Sequence, residues 1–158
     1  MIRLSKSAGF SLVELMIVVA IMAILAAIAI PSFLRFSMRA KTAEATSNLA
    51  AIRTSQESYR AEEDTYLVCA ANPALWAAGA GASTPIAWDA GTAFETIGFE
   101  PDGNVRYQYA VVAAGAGITV AFSASATGDI DEDAAAATFT VDKTAATYPK
   151  AVKGGDDF

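Results

Sequence analysis

Lys6-Ser-Ala-Gly-Phe-Ser-Leu-Val-Glu14 opens onto an unbroken apolar run, Leu15-Met-Ile-Val-Val-Ala-Ile-Met-Ala-Ile-Leu-Ala-Ala-Ile-Ala-Ile30, so one carboxylate stands at the mouth of a hydrophobic segment. An acidic side chain in a bilayer core costs roughly 2.5–3.5 kcal/mol on insertion scales, and it is retained where a partner or pathway uses it. What neutralises Glu14 is therefore the question from which function follows.

From Phe10 to Phe33 only Ser11, Glu14, Pro31 and Ser32 interrupt the apolar character. At a rise of ~1.5 Å per residue, about 24 residues cover roughly 36 Å, enough to cross a hydrocarbon core. A cleaved secretory signal is the competing account, supported by the charged start and the small residues Ala26, Ala27 and Ala29. Against it, the run exceeds the usual apolar core of about 7–15 residues, carries an acid at its start, and continues through Phe33, Leu34 and Phe36 into a helical pattern. Arg3 and Lys6 precede the run while Arg35, Arg39 and Lys41 follow it, a weak asymmetry that leaves orientation open.

Beyond Pro31, Met38, Thr42, Ala45, Leu49, Ile52, Gln56 and Tyr59 recur at alternating spacings of four and three, a stripe along one helix face, with Arg39, Glu44, Arg53, Glu57 and Arg60 off it. The spacing predicts a single helix of about 50 residues, against an average of about 11–12, leaving the membrane and laying its stripe on a soluble domain. Pro31 removes one backbone hydrogen bond and crowds the preceding turn, so a kink is expected there.

Gly9-Phe-Ser-Leu-Val-Glu14, together with the Ala/Ile-rich run that closes at Pro31, resembles the N-terminus of type IV pilins. Short charged leader, Gly-Phe junction, acid at the fifth position counted from Phe10 and following proline occur together, and the resemblance covers the first third of the chain. It implies a leader, residues 1–9, that remains cytoplasmic; a transmembrane and filament-core helix over 10–36; and a globular head over 37–158 that includes the second half of the long helix. It implies cleavage between Gly9 and Phe10 by a prepilin peptidase, N-methylation of Phe10, residence in the inner membrane as a precursor, and later display in an extracellular filament.

The residues agree with that scheme physically. Cleavage creates an ammonium on Phe10, and Glu14, four residues along, is an anion at comparable depth. When helices pack, the Glu14 of an incoming subunit can meet the Phe10 ammonium of a neighbour, cancelling two charges that each disfavour a dry environment and setting axial register. Removing one partner of such a buried pair costs about 3–5 kcal/mol. Ala20, Ala23, Ala26 and Ala27 would allow close helix approach.

The remainder narrows the chemistry. Net charge is −6, so no basic stripe is available for phosphates and no direct nucleic-acid site is evident. Histidine is absent and Cys69 is the single cysteine, which removes Ser-His-Asp and Cys-His catalysis, cysteine zinc clusters and any intrachain disulfide. Cys69 reads as a buried or partly buried thiol, with an intersubunit disulfide or an attached group as the alternative. After Arg60-Ala-Glu-Glu-Asp-Thr-Tyr66 a long loop rich in Ala, Gly, Pro and Asn runs to about Asp89, pinned by Trp76 and Trp88. A short helical turn is expected over 91–97. Pro101-Asp-Gly-Asn104 is a turn that launches a strand over 105–112, with Val105, Tyr107, Tyr109 and Val111 on one face. A hairpin loop over 113–117 leads to a returning strand over 118–125, and a third strand covers 138–141. The fold class is α+β: a long N-terminal helix, membrane-spanning in its first half, packed by its second half on a small antiparallel sheet.

Asp129, Asp131 and Asp133 stand at alternate positions, like the first ligands of a calcium loop, but Ala134 occupies the place of the turn glycine and no glutamate closes the twelfth position. Two readings stand side by side, a solvated acidic turn and a calcium site. Fifteen aromatic residues are an ordinary share that packing explains without electron conduction.

The chain is expected to be a non-enzymatic subunit of a type IV pilus, serving adhesion, twitching motility or DNA uptake. Its partners would be copies of itself and other pilins, the prepilin peptidase, an inner-membrane assembly platform and, before assembly, membrane lipid. The alternatives are a pseudopilin of a type II secretion system and a membrane-tethered binding domain that never polymerises.

Overall fold

The computed structural model describes residues 9–75, 84–114, 121–132 and 136–144. The chain divides into two compact units, Met1–Ser37 and Met38–Phe158. One helix, α1 (Leu12–Glu63), runs through both. Its residues are mostly strong helix formers, and Pro31 lies inside it. Lacking an N–H, Pro31 leaves the Ala27 carbonyl without its usual donor, yet the helix continues. The amide of Asp64 donates to the Arg60 carbonyl at 2.9 Å, and Asp64 then turns left-handed at φ 57°, a conformation Asp tolerates better than most residues.

The second unit adds β1 (Cys69–Asn72), a one-turn α2 (Ala93–Thr96), β2 (Gln108–Ala114), β3 (Ala121–Gly128) and β4 (Ala137–Asp142). The strands form one antiparallel sheet in sequence order. Period-two alternation puts Tyr107, Tyr109 and Val111, then Phe122, Ala124 and Ala126, then Phe139 and Val141 into the core, where the expected face of α1 (Ala45, Leu49, Ile52) joins them. In register, Tyr109, Ala126 and Phe139 make one row and Val111, Ala124 and Val141 the next, so the small residues of the central strand sit between bulky neighbours.

Gln56, the polar member of the buried stripe, is fully buried and satisfied by one residue. Its Nε2 donates to the Leu67 carbonyl at 2.8 Å, and the Leu67 amide donates to Oε1 at 3.1 Å. The Glu44 carboxylate accepts from the Arg106 amide at 2.7 Å and from Arg106 Nη1 at 3.2 Å, and Asn48 Nδ2 donates to the Tyr109 hydroxyl at 2.9 Å. These three side chains fasten α1 to the sheet and to the loop before it.

Among the described residues four strands stand where three were expected. Cys69–Asn72 lies in the stretch read as loop and pairs with β2 as an edge strand. Its buried Asn72 amide is held by the loop it faces: Nδ2 donates to the Asp89 carbonyl at 3.0 Å and Thr92 Oγ1 at 3.2 Å, while the Asp89 amide donates to Oδ1 at 3.1 Å. The strand expected from Val105 begins three residues later, because Glu44 takes the Arg106 amide and Val105 instead exchanges backbone hydrogen bonds with Ile86. The returning strand runs on to Gly128, beyond Ser125. Trp88 packs against Phe94, Phe99 and Tyr109, with ring centroids 5.1, 5.7 and 6.1 Å away. Trp76 and the loop tip over 115–117 lie outside the described residues.

Candidate functional site

The site singled out by sequence is the start of α1. Phe10 and Ser11 precede the first helical residue, and the Ser11 carbonyl accepts from the Leu15 amide at 3.2 Å. Phe10 is thus placed just outside the helix rather than on it, because the helical ladder starts from Ser11. Glu14 falls in the first turn, where the unpaired amides and positive end of the helix dipole favour a carboxylate. It makes no side-chain hydrogen bond or ion pair among the described residues. Gly9 is exposed, and a side chain there would meet nothing within 4 Å. Residues 1–8 of the expected leader lie outside the described residues.

From Glu14 onward the exposed surface of the first half of α1 is almost wholly apolar among the described residues. Phe10, Leu12, Leu15, Ile21, Leu25, Ile28 and Phe33 are each more than half exposed, as are most of their apolar neighbours. A helix hydrophobic all round is stable in a membrane or inside a larger core, not in water. The segment is long and apolar enough to cross a membrane, and among the described residues none of that stretch is buried.

Asp129 is buried, Asp131 half-buried and Glu132 exposed at a left-handed φ of 61°, while Asp133 lies outside the described residues. Among the described residues no three acidic or cysteine groups gather to hold a metal ion. Cys69 is 1% exposed beside Gln56, and burial pushes its thiol up to about 11. That is the buried thiol expected, and it disfavours the reactive thiolate.

The fastening contacts Glu44–Arg106 and Asn48–Tyr109 escaped the sequence reading, since their partners lie 62 and 61 residues apart with no local signal between them. Gln56 was visible as a polar side chain on an otherwise apolar stripe.

Residues 4–30 match the family described as the prokaryotic N-terminal methylation motif. The chain is 41% identical over 109 residues to the type IV major pilin protein PilA of Myxococcus xanthus, an alignment covering 69% of this chain and 39% of that relative. It is 52% identical over 50 residues to fimbrial proteins of Pseudomonas aeruginosa, covering 32% of this chain and 32% of each of them. The chain thus spans well under half the length of the curated relatives it matches. No solved structure matches it.

Proposed function

We infer from this likeness that the chain is a type IV pilin, a structural subunit rather than an enzyme. On this reading it is cut between Gly9 and Phe10 by a prepilin peptidase, methylated on Phe10 and polymerised through α1 into a surface filament. The observation that carries the reading is the stretch of α1 whose apolar side chains have no cover among the described residues, with Glu14 at its start unpaired among them. Lipid covers that surface before assembly, and the helices of neighbouring subunits cover it afterwards.

Cleavage supplies what Glu14 lacks. The amine freed on Phe10 is a cation, and methylation leaves it one. In the dry centre of a bundle a Glu14 carboxylate and the Phe10 ammonium of a neighbour offset one another's desolvation, and the match is made at one axial offset. The platform that moves subunits from membrane to filament is a separate inner-membrane assembly. The alignment with a major pilin runs well past the N-terminal motif, which favours a pilus over the pseudopilus of a type II secretion system, and both over a tether that never polymerises.

The test is Glu14→Ala in the full chain, expressed in cells that build pili. Its level in the membrane should stay at the unsubstituted value, while its amount in sheared fibres falls by about tenfold or more, as loss of one partner of a buried pair requires. Mass analysis of subunits from unsubstituted fibres should give Phe10 as the first residue, carrying one methyl group. Normal incorporation of the Glu14→Ala chain would overturn the assembly role, and fibres built of uncut chain would overturn the processing step.

A further inference from the structure

Within the second unit, α1 carries opposite charges at its two ends. Arg39, exposed, and Lys41, half-buried, stand near its start; Glu62 and Glu63 close it and Asp64 follows, all three exposed. At ~1.5 Å per residue the two groups lie about 35 Å apart along the helix. Among the described residues neither group has a partner inside the subunit. None of the five side chains makes an ion pair or a hydrogen bond among the described residues; Glu57–Arg60 and Glu44–Arg106 are ion pairs that α1 makes without them.

The acid end also stands against the helix's own electrostatics. The last turn carries partial negative charge and favours Lys or Arg, yet Arg60 is the basic residue there and three carboxylates crowd beyond it. The isolated subunit gains nothing from them. On a chain of net charge −6, copies brought together acid to acid repel, so close packing needs those carboxylates matched. Between the two ends the exposed side of α1 carries Ala40, Ala43, Ser47, Ala51, Thr54 and Ser58, small side chains that leave the approach of a neighbour open.

We propose that the occupant of this face is a second copy of the chain: Arg39 and Lys41 of one subunit meet Glu62, Glu63 and Asp64 of another displaced along the filament. The contact joins two different patches, so it repeats without closing, as a fibre requires. Charge complementarity at the two ends selects the axial offset and disfavours others. The contact rests on the polymerisation reading above and adds to it a register device on the heads, separate from Glu14.

The experiment uses full-length chains in pilus-building cells. Reversing the basic end (Arg39→Glu with Lys41→Glu) or the acid end (Glu62→Lys with Glu63→Lys) should lower sheared fibre about tenfold at an unchanged membrane level, and combining all four should restore most of it. Unchanged fibre in both reversals overturns the contact, as does a combined variant no better than either. Where a reversed chain fails to accumulate in the membrane, the pair Arg39→Cys with Glu62→Cys decides instead: oxidised fibres should yield a ladder of linked subunits, and absence of the ladder overturns the proposal. Buried Cys69 stays silent in that assay. Glu14→Ala run alongside separates the two ideas, since fibres lost with Glu14→Ala but kept in both reversals remove this contact alone, and fibres kept with Glu14→Ala remove the reading beneath it.

Discussion

Gly128 shows how narrowly a single residue is constrained in the head. A Cβ built there would run into Cδ1 and Cε1 of Tyr107, a buried ring that itself stacks edge-on against Phe139 with centroids 5.8 Å apart. The ring cannot retreat without leaving that core. Gly128→Ala should therefore destabilise the folded chain by about 1–3 kcal/mol, the usual cost of overpacking, seen as a lower melting temperature of the detergent-solubilised protein. An unchanged melting temperature would show that Tyr107 gives way freely. Glu14 lies at the opposite extreme: among the described residues nothing pairs with it, and it stands out in the sequence because a charge beside sixteen apolar residues has so few explanations.

At the scale of elements, legibility followed from periodicity. The stripe on α1 and the alternation in β2 each repeat often enough to be read; the structure buries the middle of the stripe, Ala45, Leu49, Ile52 and Gln56, and leaves Met38, Thr42 and Tyr59 half-buried at its ends. Strand β1 was not legible, because Cys69-Ala-Ala-Asn72 has no alternation to read, with its two ends buried and its two middle residues exposed. Its place is set by pairing with β2 and by the Asn72 amide gripping a loop 17 residues away, information that no local window contains. Asn72→Ala should leave the Asp89 amide and carbonyl without that partner and cost about 1–3 kcal/mol. Hydrogen exchange should then quicken at β1 while the β3 amides keep their protection; equal loss in both strands would show that β1 is not a separable edge. The late start of β2 has the same origin, a carboxylate from α1 claiming an amide that the strand pattern had reserved for the sheet.

For the whole molecule, the buried phenols and thiol set an upper pH limit. Burial pushes Cys69 up to about 11 and Tyr107 up to about 12, and raises Tyr109 as well. Unfolding returns all three to ordinary values, near 9 for the thiol and 10 for the phenols. Below pH ~9 each is neutral in both states, and its contribution to stability is fully present. Above that the unfolded chain loses protons first, so stability should fall progressively through pH ~9 to 12 in denaturation curves of the detergent-solubilised protein. A flat profile over that range would mean that these groups are hydrated in the folded chain. The same sealed thiol has another consequence. On the reading proposed above, a subunit made on one side of a membrane and displayed on the other passes from a reducing to an oxidising environment, and its single, buried cysteine leaves no intrachain disulfide to form on the way. On that reading, a thiol so sealed lets copies of the chain stand crowded in a fibre without being cross-linked through it.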